Sequence, residues 1–244
     1  MSHSDSGHLG NLKSFDELLS TVKGFPVGYN PSKNEFQIKA LEAKSAEGHN
    51  QLANLNVMMS VYKSAVEHRT EVYAPFQNLT TSIFNYIKST DASYKAVDDV
   101  AQIIRKLKGQ RAGKKVTPPA TGENTQESSQ ISVSQLSFNE RLNNFDRLIR
   151  QLELIPQYVP NEINLSVAGL RDYYIRMNAA NDALLKAEND ISNARVSRNR
   201  EFYDPQTGLV EIGKGDKLYI KAIFGASSPQ YRQVSGISFK SYIN

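Results

Sequence analysis

Histidines and carboxylates are the side chains of this sequence that could carry acid–base or metal chemistry, because it contains no cysteine. The four histidines are His3, His8, His49 and His68. His49 and His68 fall on one predicted helix, nineteen residues apart, which is too far for both to bind one metal ion. No histidine belongs to an H-E-x-x-H spacing. We therefore expect no metal site and no catalytic histidine.

The acid clusters and the glycine-rich stretch also lack the pattern of a reactive site. Catalytic carboxylate pairs need burial that separates their pKa values, whereas Asp98-Asp99 and the segment 188–190 stand in polar surroundings. The glycines from Gly208 to Gly215 lack the Lys-Ser/Thr pair of a phosphate loop and follow no predicted strand. We read these glycines as turn or contact positions. The sequence predicts no enzyme, no catalytic residue and no cofactor.

The basic residues are concentrated in one short run that contains no acid: Arg105, Lys106, Lys108, Arg111, Lys114 and Lys115. One interpretation is an anion patch that contacts nucleic acid or an anionic membrane surface. The favoured interpretation is the end of a helix, where cations complement the helix dipole, running into a solvated loop. No aromatic residues interleave with the basic ones, as base stacking would require. Nucleic-acid binding is therefore the weaker hypothesis.

Tyrosine is abundant, with twelve residues against no tryptophan. Four tyrosines stand in Tyr-x-Pro motifs: Tyr29, Tyr73, Tyr158 and Tyr203. Packing of the ring at a helix end is the simpler interpretation. Tyrosine is also favoured in protein interfaces, so these four residues are predicted to be structural or interface positions.

The order of these motifs predicts an internal duplication. Ser14-Phe15-Asp16-Glu17 matches Ser137-Phe138-Asn139-Glu140, and a Tyr-x-Pro pair follows in each half. Tyr86-Ile87-Lys88 then matches Tyr219-Ile220-Lys221. A repeat of this length is one folding unit used twice.

Each half reads as helices. Ser14 with Glu17, Ser137 with Glu140 and Ser32 with Glu35 have the spacing of capping boxes. A long helix is predicted from about 32 to 73, with a comparable one in the second half, because mainly apolar residues recur every three or four positions and form a stripe along one helix face. The stripes are Leu41, Ser45, Gly48, Leu52, Leu55, Met59, Tyr62, Val66, Arg69 and Tyr73, and Ile163, Val167, Leu170, Tyr174, Met177, Ala180, Leu184, Ala187, Ile191 and Ala194.

Prolines and caps place the remaining boundaries. Pro75 and Pro205 should end the long helices, with shorter helices at about 76–89 and 207–224, the latter stopping at Phe224-Gly225. Ser228-Pro229 has the pattern of an N-cap followed by a first-turn proline. The predicted fold is all-α: an elongated helical bundle of two tandem homologous repeats related by a pseudo-two-fold axis. Each repeat has one long helix and shorter flanking helices.

The predicted organisation is a disordered tail at 1–12, repeat 1 at 13–108, a flexible basic and polar connector at 109–136, and repeat 2 at 137–244. The amino terminus lacks the basic start and apolar run of a secretory signal, and no stretch is apolar enough to span a bilayer. A cytoplasmic protein is the simplest interpretation, with non-classical export left open.

Three segments carry a resemblance to other proteins: 158–162, Tyr-Val-Pro-Asn-Glu; 194–199, Ala-Arg-Val-Ser-Arg-Asn; and 224–231, Phe-Gly-Ala-Ser-Ser-Pro-Gln-Tyr. The chain resembles, from about residue 11 onward, a group of duplicated helical proteins of Bacteroidota-type bacteria. That resemblance implies a bacterial origin and no activity or site residue.

The sequence therefore favours a non-enzymatic structural or scaffold protein that self-associates, or binds a protein partner, through long amphipathic helices. A homo-oligomer is the expected state. A membrane-active, pore-forming-like helical protein is the alternative from another class, and nucleic-acid binding through 105–115 is a third. The absence of an apolar hairpin tip disfavours membrane insertion.

Overall fold

The structure, a computed structural model, describes residues 3–25, 28–109 and 137–241. All regular secondary structure in these ranges is helical, which confirms the all-α class for the described chain. The helices are α1 (His3–Lys23), α2 (Ile38–Tyr73), α3 (Phe76–Lys88), α4 (Tyr94–Leu107), α5 (Phe138–Glu153), α6 (Val167–Tyr203), α7 (Leu209–Phe224) and α8 (Pro229–Ser235), with a 3₁₀ turn at Asn34–Phe36.

The helices form two compact units. Unit 1 comprises Met1–Tyr62 and Ala187–Asn244, and unit 2 comprises Lys63–Lys186. Both boundaries fall inside the long helices α2 and α6, so each long helix contributes one end to each unit. Each unit therefore combines helices from the first half of the sequence with helices from the second half.

Unit 1 packs α1 against α7 and α8 and against parts of the two long helices. One cluster centres on Phe15, Leu41 and Phe202. A second joins Val22 of α1 to Ile220 of α7 and to the α8 region. Burial of these side chains is the main source of stability here, because each fully buried aliphatic or aromatic side chain contributes about 1.5–3 kcal/mol.

Unit 2 packs α3, α4 and α5 against the end of α2 and the start of α6. Phe145 of α5 is fully buried and meets Phe76 of α3 edge-on, with ring centroids 5.2 Å apart. The apolar face predicted for α5 is confirmed, since all its members are buried: Leu142, Phe145, Leu148, Leu152 and Ile155.

Several predicted helix boundaries are confirmed. The Ser137 hydroxyl accepts the Glu140 N–H at 3.2 Å to begin α5, and the Ser228 hydroxyl accepts the Tyr231 N–H at 3.0 Å ahead of Pro229. Both long helices end two residues before a proline, at Tyr73 and Tyr203. Gly225, with φ of +89°, follows the last residue of α7.

Three expectations near the amino-terminal half are wrong. The tail expected at 1–12 is helical from His3. Leu12 is fully buried in the unit 1 core, and this packing stabilises the helix that contains it. Ser14 consequently lies inside α1 and caps nothing. The chain at Ser32 forms no long helix: a 3₁₀ turn follows, its cap residue Lys33 makes no side-chain cap bond, and α2 begins only at Ile38.

The stripe predicted for α6 follows the burial closely, and the stripe predicted for α2 follows it only in part. In α6 the predicted positions from Leu170 to Ala194 are buried, apart from the half-buried Tyr174. Ile163 lies before the helix and is 84% exposed. In α2, Met59 is exposed while its neighbour Met58 packs on Leu55 and Ile191. The inner face of α2 is therefore one residue out of the predicted register at that point.

Candidate functional site

The four Tyr-x-Pro tyrosines lie in the two cores and use their hydroxyls there. Tyr158 donates to the Leu165 carbonyl at 2.7 Å, and Tyr29 donates to the Phe36 carbonyl at 2.5 Å. Both bonds close a loop over seven residues. Tyr73 donates to the Phe138 carbonyl at 3.3 Å, and the Tyr203 hydroxyl contacts His8 Nδ1 at 2.7 Å. Burial raises the pKa of Tyr158, so its proton stays in place across the ordinary pH range. Whether any of the four also serves an interface stays a prediction.

A buried carboxylate joins one of these tyrosines, and the sequence reading missed it. Asp216 of α7 is fully buried, and its Oδ1 lies 2.8 Å from the Tyr29 hydroxyl. Its Oδ2 is buried without a hydrogen-bond partner. Burial raises the pKa of Asp216 from 3.8 to about 6, and the hydrogen bond from Tyr29 opposes part of that rise. The sequence contains one signal for this carboxylate. Asp216 stands three residues before Tyr219, and the matched position, three residues before Tyr86, holds the apolar Ile83.

The basic run is only partly within the described residues. Arg105 and Lys106 lie exposed in the last turn of α4, where Arg105 pairs with Asp98 at 3.7 Å. Lys108 donates to the Thr81 hydroxyl at 3.0 Å. These residues thus lie at the carboxyl end of a helix, where the favoured interpretation places them. Arg111, Lys114 and Lys115 lie outside the described residues, and anion binding stays a prediction.

Three of the histidines, His8, His49 and His68, lie at separate places in the structure. His8 is buried beside the Phe202 ring, 5.7 Å between ring centroids, although the sequence placed it in a tail. His49 contacts Asp16 at 2.9 Å, and His68 lies exposed on α2. Within the part of the chain that the structure describes, no three His, Cys, Asp or Glu residues come together as a metal site.

Gly213 and Gly215 are contact positions, as predicted. A Cβ on Gly213 would lie 2.4 Å from the Phe239 ring, and one on Gly215 would lie 2.8 Å from the Phe36 ring. Gly208 precedes α7 as its N-cap residue. The glycine-rich stretch therefore serves the packing of α7 in unit 1.

Unit 2 contains an open cleft of about 400 Å³ between the α2–α3 junction and the start of α6. Its apolar lining comes from Val72, Leu79 and Tyr173, and its charged lining from Glu71 and Arg176. The guanidinium of Arg176 lies 5.3 Å from the centre of the Tyr173 ring. The Tyr173 hydroxyl donates to the Val72 carbonyl at 2.7 Å, which fixes α6 against the end of α2.

The connection between α5 and α6 presents three large aliphatic side chains to solvent. Leu154 is 77% exposed, Val159 71% and Ile163 84%. All three belong to unit 2. Isolated exposed aliphatic residues are ordinary on protein surfaces, but three of such exposure within ten residues mark a candidate interaction surface.

No protein-family model matches this chain, and no curated protein or solved structure matches it either. The resemblance to duplicated helical proteins of Bacteroidota-type bacteria therefore stays a prediction. Among the described residues, no helix combines the length and apolar character that crossing a membrane requires.

Proposed function

We propose that the chain is a tandem duplication of one helical repeat. Two pairs of contacts support this. The bonds from Tyr29 to Phe36 and from Tyr158 to Leu165 span the same seven residues. The same two tyrosines meet the matched Tyr219 and Tyr86 edge-on, with interplanar angles of 82° and 84°. Motifs matched in the sequence thus make matched contacts in two separate cores.

We further propose that the protein is a non-enzymatic interaction protein that self-associates through the α5–α6 connection of unit 2. The exposure of Leu154, Val159 and Ile163 carries this proposal. At the matched positions unit 1 has the half-buried Phe25, which packs on Phe224, and two asparagines, Asn30 and Asn34. Unit 1 therefore buries or replaces these positions, whereas unit 2 exposes aliphatic side chains at all three.

A second copy of this chain is the simplest partner for this surface, because covering exposed apolar side chains with another apolar surface is favourable. Burial contributes about 25 cal/mol for each Å² removed from water. Interface energies also concentrate in a few central residues, so the loss of two of the three should dissociate the assembly.

Size-exclusion chromatography with multi-angle light scattering, across a concentration series, tests the proposal. The unaltered protein should form a defined oligomer, and the double variant Val159→Glu/Ile163→Glu should run as a monomer. Leu218→Glu is the matched control, because Leu218 of unit 1 is also aliphatic and 66% exposed. A strict monomer at every concentration, or an oligomer insensitive to the double variant, would contradict self-association through this surface.

A further inference from the structure

Two side chains of the unit 2 cleft differ from those at the matched positions of unit 1. The motif Glu71-Val72-Tyr73-Ala74-Pro75 matches Glu201-Phe202-Tyr203-Asp204-Pro205. Phe202 is fully buried, whereas Val72 is half-buried and lines the cleft.

The charged residues at the matched positions also differ between the two units. In unit 1, Glu201 forms an ion pair with Lys44 at 2.9 Å. Lys44 stands eight residues after Phe36, and the residue eight after the matched Leu165 is Tyr173. Glu71 of unit 2 thus has a tyrosine where Glu201 has a lysine. Its carboxylate forms no ion pair with another described residue, and the same holds for Arg176.

The cleft consequently offers one unpaired carboxylate, one unpaired guanidinium and an apolar surface within one volume. Its size, about 400 Å³, falls within the range of small-molecule sites, roughly 300–1,000 Å³. A guanidinium binds a carboxylate with two parallel hydrogen bonds. A carboxylate in turn binds an ammonium group, and Val72 and Leu79 suit an aliphatic side chain.

We propose that this cleft binds a small zwitterion: a free α-amino acid or dipeptide with aliphatic side chains. Its carboxylate lies on Arg176, its ammonium group on Glu71, and its side chain on Val72 and Leu79. Asn78, Ser82 and Asn164, which also line the cleft, bind the remaining amide and carbonyl groups. This site goes beyond the proposed function and does not depend on self-association.

Titration calorimetry with the dipeptide leucyl-leucine tests the proposal on the intact protein. N-acetyl-leucyl-leucine lacks the ammonium group and leucyl-leucinamide lacks the carboxylate. We expect each to bind about tenfold more weakly than the free dipeptide, which corresponds to one charge-assisted contact. Leucine itself distinguishes an amino-acid site from a dipeptide site, because the tighter of the two ligands identifies the length that the cleft accepts.

Variants assign each charge to its partner. Glu71→Gln should weaken leucyl-leucine about tenfold and leave the N-acetyl form unchanged. Arg176→Gln should weaken leucyl-leucine and leave the amide form unchanged. Both side chains are exposed, so neither change should unfold the protein. Arg195→Gln, an exposed arginine of α6 outside the cleft, is the control and should change nothing.

Val72→Phe, which introduces the unit 1 residue, should abolish binding by filling the cleft, and circular dichroism verifies that the variant folds. The proposal is overturned by any of three results. These are no binding of leucine or leucyl-leucine at millimolar concentration, equal binding of the free and capped dipeptides, and unchanged binding in folded Val72→Phe.

Discussion

The hydrogen bonds between Asp216, Tyr29 and the Phe36 carbonyl depend on whether Asp216 is protonated. The Tyr29 hydroxyl has one proton and lies near two acceptors, the Phe36 carbonyl at 2.5 Å and Asp216 Oδ1 at 2.8 Å. When Asp216 is protonated, it donates to the tyrosine oxygen while Tyr29 donates to Phe36. When Asp216 is ionised, both acceptors compete for one proton and the charge is buried. The neutral carboxyl therefore suits this site better.

Asp216 should make the protein less stable as the pH rises. Its pKa is raised from 3.8 to about 6, so the folded state holds a proton that the unfolded state has released between those values. The free energy of unfolding then falls as the pH rises through this window, by about 3 kcal/mol in total. Asp216→Asn mimics the neutral form, since its amide donates to Tyr29. We expect the variant to be more stable at pH 7 by about 2–3 kcal/mol and to show no loss between pH 4 and 7. Urea unfolding at each pH measures this.

Asp204 provides the opposite case within the same unit. Its carboxylate accepts the N–H groups of Thr207 and Gln206 at 2.8 and 2.9 Å. These bonds lower the pKa of Asp204. Its contribution is therefore present above its ordinary pKa and is lost as the pH falls through the lowered value. Asp204→Asn should destabilise the protein at pH 7 and lose its effect in acid. If both variants gave the same pH profile, the two assignments would be wrong.

At the scale of the element, α6 begins at a point where the backbone folds closely on itself. The Ser166 hydroxyl accepts the Gly169 N–H at 3.1 Å and donates to the Ile163 carbonyl at 2.8 Å. A Cβ on Gly169 would lie 1.9 Å from that carbonyl oxygen. Only glycine permits this helix start, which positions the α6 side of the cleft.

Two glycine-to-alanine variants should consequently have opposite effects. Gly10 lies exposed inside α1, and a Cβ at this position would have no neighbouring atom within 4 Å. Gly10→Ala should therefore stabilise the protein by about 0.5–1 kcal/mol, because alanine has the higher helix propensity. Gly169→Ala should destabilise it by more than about 2 kcal/mol, because backbone must move to admit the methyl group. Thermal unfolding of both variants tests the pair. Equal shifts of the same sign would show that the α6 start is not constrained in this way.

At the scale of the whole molecule, the connector between the two halves is not what keeps each unit together. Unit 1 combines Met1–Tyr62 with Ala187–Asn244, and unit 2 takes Lys63–Lys186 from both sides of the connector. The contacts of α1 with α7, and of α4 with α5, join segments from different halves of the sequence. Each half alone thus lacks the partner helices of both cores.

Cutting the chain between the halves should leave one complex. A protease site inserted between Thr121 and Gly122, then cleaved in the folded protein, should give two fragments that co-elute and keep the helical content of the uncut chain. The reason is that each apolar core needs side chains from both fragments. In denaturant the fragments should separate, which verifies that cleavage is complete. Separation without denaturant would contradict the assembly of each unit from both halves.

The sequence by itself determined the helical class, the ends of the long helices at Pro75 and Pro205, the α5 face and the caps at Ser137 and Ser228. These features are local: a proline, a hydroxyl three residues from an N–H, or an apolar period acts through its chain neighbours. The Tyr-x-Pro motifs were found in the same way. Their hydroxyl bonds to carbonyls seven residues away were not, because a loop conformation sets that partner.

Only the tertiary structure decided the features that depend on distant residues. The first twelve residues read as a polar tail, yet Leu12 is buried because Phe202 and Leu209, far along the chain, cover it. Asp216 belongs to no motif of the sequence, and the packing of α7 places it against Tyr29. The cleft is lined by side chains of α2, α3 and α6 that only the fold brings together. Burial and space are properties of packing between elements, so a local pattern does not reveal them, and the sequence signals Asp216 only through its mismatch with Ile83 in the other half.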